Sequence, residues 1–249
     1  MKKSIIRTIA EFFAIVIGIL GAFSLEEWSD QKDRNSLIKE VMHSIIDDLE
    51  EDLKDLKRDR DWHRNSLTSN TRIILAIETK KSFEERFCYD FYYLEAEEYS
   101  PPSMSGYNRL LNLNVESAVP DSLYSKLSHI YTTLFARITK PTTLYPDIHE
   151  YLSPYYRKHF KVNDNTSIKS EIVLDGDTLR FPQPVAEGPD TLWRRRGYQP
   201  LDYEKLINDP EYFVLINNTL EFRIHKFNRY NQLVGRIEDV LEDLNQIYK

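Results

Sequence analysis

Residues 12–25 read FFAIVIGILGAFSL, an uncharged apolar run that has no counterpart in the rest of this acidic, amphipathic chain. As a helix the run would be about 21 Å long, whereas the stretch from Ile5 to Leu25 would be about 31 Å long, which matches the hydrocarbon core of a bilayer. The sequence therefore predicts one transmembrane helix over residues 9–27, after a basic cytoplasmic N-terminus over residues 1–8.

Polar and aromatic residues mark both ends of this predicted span. Arg7 and Glu11 lie four residues apart, so they share a helix face and can form an ion pair near the membrane–water interface at the N-terminal end of the span. Trp28 follows the span, and we interpret Arg7 and Trp28 as interfacial anchors. Basic residues flank the span on both sides and decide its orientation only weakly. We expect a single-pass protein of the inner (cytoplasmic) membrane, with its N-terminus inside and its main domain in the periplasm.

A cleavable signal peptide is the main alternative for this segment. Residues 22–24 (Ala-Phe-Ser) form a loose small-x-small cleavage site. Glu11 interrupts the basic region of a signal peptide, and the amphipathic pattern continues past the site without a loop, so we favour an uncleaved span. A core helix of a soluble protein is the third interpretation.

Composition limits the function classes. The chain has 249 residues and is 41% hydrophobic, which suffices for one domain with a substantial core. Its formal net charge of −7 argues against nucleic-acid binding. It has seven glycines and no phosphate-binding glycine motif, and its single cysteine permits no intrachain disulfide. We expect no cofactor.

The soluble part is predicted to be mainly α-helical. Apolar residues three and four apart from Leu37 to Leu56 predict a long amphipathic helix that continues the membrane helix. A short second helix is predicted over Asn70–Thr79, and the first part of the helical domain covers residues 28–162. The same spacing predicts a long C-terminal helix, within residues 201–249, that packs antiparallel on the first to form a helical bundle.

Residues 163–200 interrupt the helical pattern. Asp175-Gly176 lies between two β-prone runs, which predicts a β-hairpin. Four prolines make the flanks of the hairpin irregular. We predict a small hairpin insertion and not a second domain.

Four segments carry motifs of a known family. Residues 11–22 with Trp28 are similar to a Gly-Glu-Ile-hydrophobic-Val-Ile-Gly-Ile-Leu-Ile-Ala helix and its Asn-Asn-Trp-Asn exit. Residues 105–110, 120–123 and 202–211 are similar to a Gly-Tyr-x-x-Leu, an Asn-Asp-Ser-Leu and an Asp-Tyr-x-x-Leu-x-Asn-Asp-x-Glu element. The chain thus resembles an uncharacterised family of bacterial single-span membrane proteins, with departures at Ala10 and at the exit of the span. The resemblance implies a membrane-anchored helical domain and no known activity.

Small residues form a stripe along the predicted span. Ala14, Gly18 and Ala22 are spaced four apart, with Gly21 beside them and Glu11 on nearly the same face. Such stripes let helices approach closely in lipid, and acids within a membrane prefer protein or water to lipid. We predict a homo-oligomer through this interface, although alanine and glycine are also common in simple anchors. A channel formed by packed spans is the alternative function.

One dense basic patch stands out in the acidic chain: Trp193, Arg194, Arg195 and Arg196. It could dock an anionic protein partner or a lipid headgroup. A solvated loop whose arginines pair with the acidic first helix is the more ordinary interpretation.

Candidate groups for metal or acid–base chemistry are weak. Three histidine–carboxylate pairs have i,i+4 spacing: His43 with Asp47, Asp59 with His63, and Glu221 with His225. No zinc motif or nucleophile elbow supports them, and we interpret them as solvated or capping residues. We therefore expect no metal site and no catalytic residue. The predicted function is a membrane-anchored helical protein that acts by self-assembly or partner binding.

Overall fold

The structure is a computed structural model that describes residues 2–97, 99–113, 119–140, 142, 145–163, 171–174, 177–180 and 197–248. Within these ranges the side chains are described from residue 16 onward, except over 171–180.

The elements confirm a mainly helical chain with a small hairpin. In chain order they are α1 (Lys2–Glu78), α2 (Phe87–Glu95), α3 (Ser105–Asn112), α4 (Asp121–His129), a π-helical turn (Ile130–Leu134), α5 (Phe135–Thr139), α6 (Ile148–His159), β1 (Phe160–Asn163), β2 (Glu171–Leu174), β3 (Asp177–Arg180), β4 (Gly197–Pro200), α7 (Tyr203–Leu206) and α8 (Pro210–Tyr248).

The prediction of a separate helix over Asn70–Thr79 is wrong, because α1 continues without interruption through Asn70 to Glu78. The polar residues Ser66, Ser69 and Asn70 are buried within this helix and are at most 5% exposed. Ser66 Oγ donates to the carbonyl oxygen of Trp62 at 3.1 Å, so its hydroxyl is satisfied without leaving the helix.

Among the described side chains, no helical stretch is both long enough and apolar enough to cross a membrane. Residues 9–15 of the predicted span lie outside the described side chains. The backbone of α1 is helical through the whole of that span and continues without interruption to Glu78.

The chain divides into two compact units. Unit 1 comprises Met1–Glu51, Ser103–Tyr131 and Ile237–Lys249, and unit 2 comprises Asp52–Pro102 and Thr132–Arg236. Both α1 and α8 contribute residues to each unit.

In unit 1, the start of α3 lies directly against α1. Gly106 N donates to Asp48 Oδ2 at 2.7 Å, and Ser105 Oγ lies 2.9 Å and 2.8 Å from the two oxygens of the same carboxylate. Asp48 therefore caps α3 from another helix, where the free N–H groups favour a negative charge. The fully buried side chains Val41, Met42, Ile45, Leu49, Leu110, Leu127, Ile237 and Leu244 form the core of this unit.

In unit 2, α1 and α8 run antiparallel, as predicted. Ile73 of α1 lies in the same core cluster as Tyr212 of α8, whereas His63, three turns earlier in α1, contacts Arg223 and Tyr230 further along α8. Aromatic residues of α2, α6 and β1 complete the core; for example, the rings of Phe91 in α2 and Phe160 in β1 lie 5.0 Å apart.

Two antiparallel strand pairs lie in the second half of unit 2. β2 pairs with β3 in an antiparallel register, with Leu174 opposite Asp177, and the predicted hairpin is confirmed. β1 pairs with β4, with Phe160 opposite Pro200, which was not predicted. Each strand has only four residues, and its partner lies at the other end of residues 160–200, so no local pattern indicates the pairing.

Candidate functional site

The N-terminal part of α1 combines apolar side chains with full exposure. Every residue from 17 to 36 is exposed, and Ile38 is the first buried residue among the described side chains of the helix. The large apolar side chains of this segment are 51–68% exposed: Ile17, Ile19, Leu20, Phe23, Leu25 and Trp28. Water-soluble monomers rarely expose so continuous an apolar surface, which usually marks contact with lipid or with another chain.

The predicted helix interface is open where it is described. A Cβ atom built on Gly18 or Gly21 has no other heavy atom within 4 Å, and Ala22 is exposed. The side chains of Glu11 and Ala14 lie outside the described residues, as does that of the predicted anchor Arg7. The predicted interface and the channel alternative therefore stay predictions.

Trp28 lies where the apolar segment gives way to charge. Its ring is 66% exposed, and Lys32 Nζ lies 5.6 Å from the ring centroid. Acidic residues Glu26, Glu27 and Asp30 surround this position along the helix. An amphipathic aromatic beside a lysine suits a membrane–water interface. The basic patch Trp193, Arg194, Arg195 and Arg196 lies outside the described residues.

Unit 2 contains a buried cation that the sequence did not reveal. Arg223 of α8 is 0% exposed, and its Nη2 donates to the carbonyl oxygens of Tyr93 and Leu94, at 3.3 Å each, and to that of Ala96. These carbonyls form the C-terminal end of α2, where the helix dipole is negative. Nη1 lies 3.0 Å from Nδ1 of His63, which must accept because a guanidinium only donates.

Electrostatics in this region follow from burial. Burial lowers the pKa of Arg223 to about 10, against the opposing effect of Asp147 and Glu95, so the side chain stays charged at neutral pH. Burial raises the pKa of Glu95, although the neighbouring His149 acts in the opposite direction. Nδ1 of His149 lies 2.5 Å from Glu95 Oε1, which ties α6 to the end of α2.

The interpretation of Asp59 and His63 as solvated or capping residues is wrong, because they are 0% and 1% exposed. The three- and four-residue spacing of the buried face of α1 could have indicated that Asp59 and His63 are buried, because this spacing continues through polar positions. A pattern restricted to apolar residues ends at Leu56 and misses them. The buried residues of this face are Asp52, Leu56, Asp59, His63, Ser66, Asn70, Ile73 and Ile77.

The other two histidine pairs do not lie in the core. His43 and His225 are partly buried, and their partners Asp47 and Glu221 are exposed. Among the described residues, no three histidine, cysteine or carboxylate side chains are grouped so that they could hold a metal ion.

Comparisons of the chain with protein-family models, with curated proteins and with solved structures found no match. The resemblance to a bacterial single-span membrane family therefore stays a prediction that rests on the motifs quoted above.

Proposed function

We propose that this chain is a membrane-tethered helical protein that acts by self-assembly or by binding a partner, and not by catalysis. The N-terminal part of α1 would lie in the inner membrane, with the N-terminus in the cytoplasm and the helical domain in the periplasm. One observation carries the proposal: the uninterrupted exposure of large apolar side chains between Ile17 and Trp28 on a helix whose continuation is buried.

The energetics favour a lipid environment for this segment. Each large aliphatic or aromatic side chain near the middle of a membrane contributes about −0.3 to −0.6 kcal/mol to insertion. The five such side chains between Ile17 and Leu25 together contribute about −1.5 to −3 kcal/mol. The apolar residues 12–16 extend the run, so the segment that would lie in the membrane is longer than its described side chains.

Liposome flotation of the full-length protein tests the tether. We expect the wild type to float with neutral vesicles, and the variant Leu20→Glu/Phe23→Glu to float far less, because two charges in this segment oppose insertion. The matched control is Leu75→Glu/Val214→Glu, which makes the same kind of change at residues that are 53% and 57% exposed elsewhere. Equal flotation of all three proteins, or of none, would contradict a tether through α1.

Mass measurement in detergent tests self-assembly separately. We expect a defined oligomer for the wild type and a smaller species for Gly18→Leu/Gly21→Leu, because leucine would fill the small-residue stripe. Gly235→Leu is the control, since Gly235 also lies in a helix with open space around it. A monomeric wild type that still floats would leave the tether intact and point to binding of a different partner.

A further inference from the structure

A small cleft in unit 2 is unusually basic for so acidic a chain. It lies beside the end of α5, the start of α6 and the middle of α8. Its charged lining residues are Glu97, Arg137, Lys140, Asp147, Lys226 and Arg229. Four cations thus face two carboxylates.

Both carboxylates are already engaged with the start of α6. Asp147 is its N-cap and accepts from Glu150 N at 2.9 Å. Glu97 accepts from Ile148 N at 2.6 Å through one oxygen and pairs with Lys226 through the other. The charges of Glu97 and Asp147 are therefore largely balanced by the helix terminus and by Lys226.

Three cations remain to give the cleft a positive potential. Arg229 is held in place, because Nη1 donates to the carbonyl oxygen of Arg137 at 2.8 Å and the guanidinium lies 4.3 Å from the centroid of the Tyr145 ring. A guanidinium has five N–H donors, so most of them stay unused by that bond. Arg137 and Lys140 are exposed, and neither has an ion-pair partner among the described residues.

The pKa of Lys226 is low mainly because the side chain is buried. Desolvation lowers its pKa to about 8, and the charge of Arg229 acts in the same direction. A bound anion would offset the repulsion from Arg229.

We propose that this cleft binds a single phosphate-type oxyanion. Arginines present paired donors that match the oxygens of a phosphate group, and Lys140 adds a further charge at the rim. The phosphate can be a free ion or the headgroup of a phospholipid. The site is independent of the proposed tether.

Calorimetric titration with inorganic phosphate tests the site. The full-length protein is used in a non-ionic detergent, with ionic strength held constant by chloride. We expect the wild type to bind, and Arg137→Gln/Lys140→Gln to bind at least about tenfold more weakly, because charge-assisted hydrogen bonds are lost. Lys158→Gln/Lys161→Gln is the matched control: it removes the same charge from exposed positions of unit 2 and should bind like the wild type.

Vesicles identify the source of the phosphate group. If inorganic phosphate does not bind, but vesicles with phosphatidic acid retain the wild type and the control better than the cleft variant, the ligand is a lipid headgroup. Neutral vesicles measure the binding that is due to the proposed membrane tether alone. The proposal would be overturned if the wild type bound neither inorganic phosphate nor the phosphatidic acid vesicles. It would also be overturned if the cleft variant and the control lost affinity equally.

Discussion

The packing of α3 against α1 predicts that Gly106→Ala strongly destabilises the protein. A Cβ atom at Gly106 would lie 2.7 Å from the backbone nitrogen of Ile45 and 2.9 Å from both Ile45 Cγ1 and the carbonyl carbon of Ser44. Two of these atoms belong to the backbone of a long helix, so no side-chain rotation relieves the clash. Shifting α3 away would also lengthen the 2.7 Å bond between Gly106 N and Asp48.

The magnitude follows from three terms. Overpacking costs about 1–3 kcal/mol, and weakening a hydrogen bond to a charged group costs about 1.5–3 kcal/mol. The helix preference of alanine offsets up to about 1 kcal/mol of this. We expect a net loss of about 2–4 kcal/mol, which lowers the Tm by about 5–15 °C for a chain of this size.

Gly235→Ala is the matched control, and it should act in the opposite direction. Gly235 lies inside α8, and a Cβ atom there has no other heavy atom within 4 Å. Removing a glycine from a helix interior should stabilise by up to about 1 kcal/mol. Thermal unfolding followed by circular dichroism at 222 nm, in one detergent, measures both variants. A Tm of Gly106→Ala within about 2 °C of the wild type would refute the reasoning.

Three further predictions concern buried polar groups. Arg223→Met should lower the free energy of unfolding by about 3–5 kcal/mol, because it leaves three carbonyl oxygens at the end of α2 and His63 without their donor. The control Arg157→Met changes an exposed residue of α6 and should shift the Tm little. Asp48→Ala should lose about 1–2 kcal/mol through the cap of α3, and Asp48→Asn should recover part of this in the same thermal assay. Burial raises the pKa of Tyr156 and of Tyr212. As the pH rises, both tyrosines therefore lose their protons in the unfolded chain before they do so in the folded protein. Above pH 10 the free energy of unfolding should fall by about 1.4 kcal/mol for each pH unit and for each of the two tyrosines. A Tm, followed by circular dichroism, that stays constant as the pH rises above 10 would contradict this last expectation.

Much of the candidate membrane segment could be predicted from composition alone. Residues 12–25 would be apolar on every face of a helix, so the segment can be recognised as a membrane candidate without knowledge of its tertiary contacts. The structure adds that α1 is continuous and that the side chains from Ile17 to Ser36 are exposed.

Local chemistry also determined the hairpin and the long C-terminal helix. Asp175-Gly176 favours a two-residue turn whatever surrounds it, and the spacing from Leu220 to Tyr248 repeats over many turns of α8. Such signals depend only on neighbours in the chain. For the same reason they did not show that α1 continues through Asn70 to Glu78.

Tertiary structure alone decided where the buried polar groups and the basic cleft lie. His63 is buried where it contacts Arg223 and Tyr230 of α8, and Arg223 is tolerated there because it meets the carbonyl end of α2. The cleft brings Glu97, Arg137 and Lys226 together from widely separated parts of the chain. Periodicity in the sequence indicates which residues share a helix face. The partner that neutralises a buried charge comes from a distant segment of the chain, so only the tertiary structure determines which residue it is.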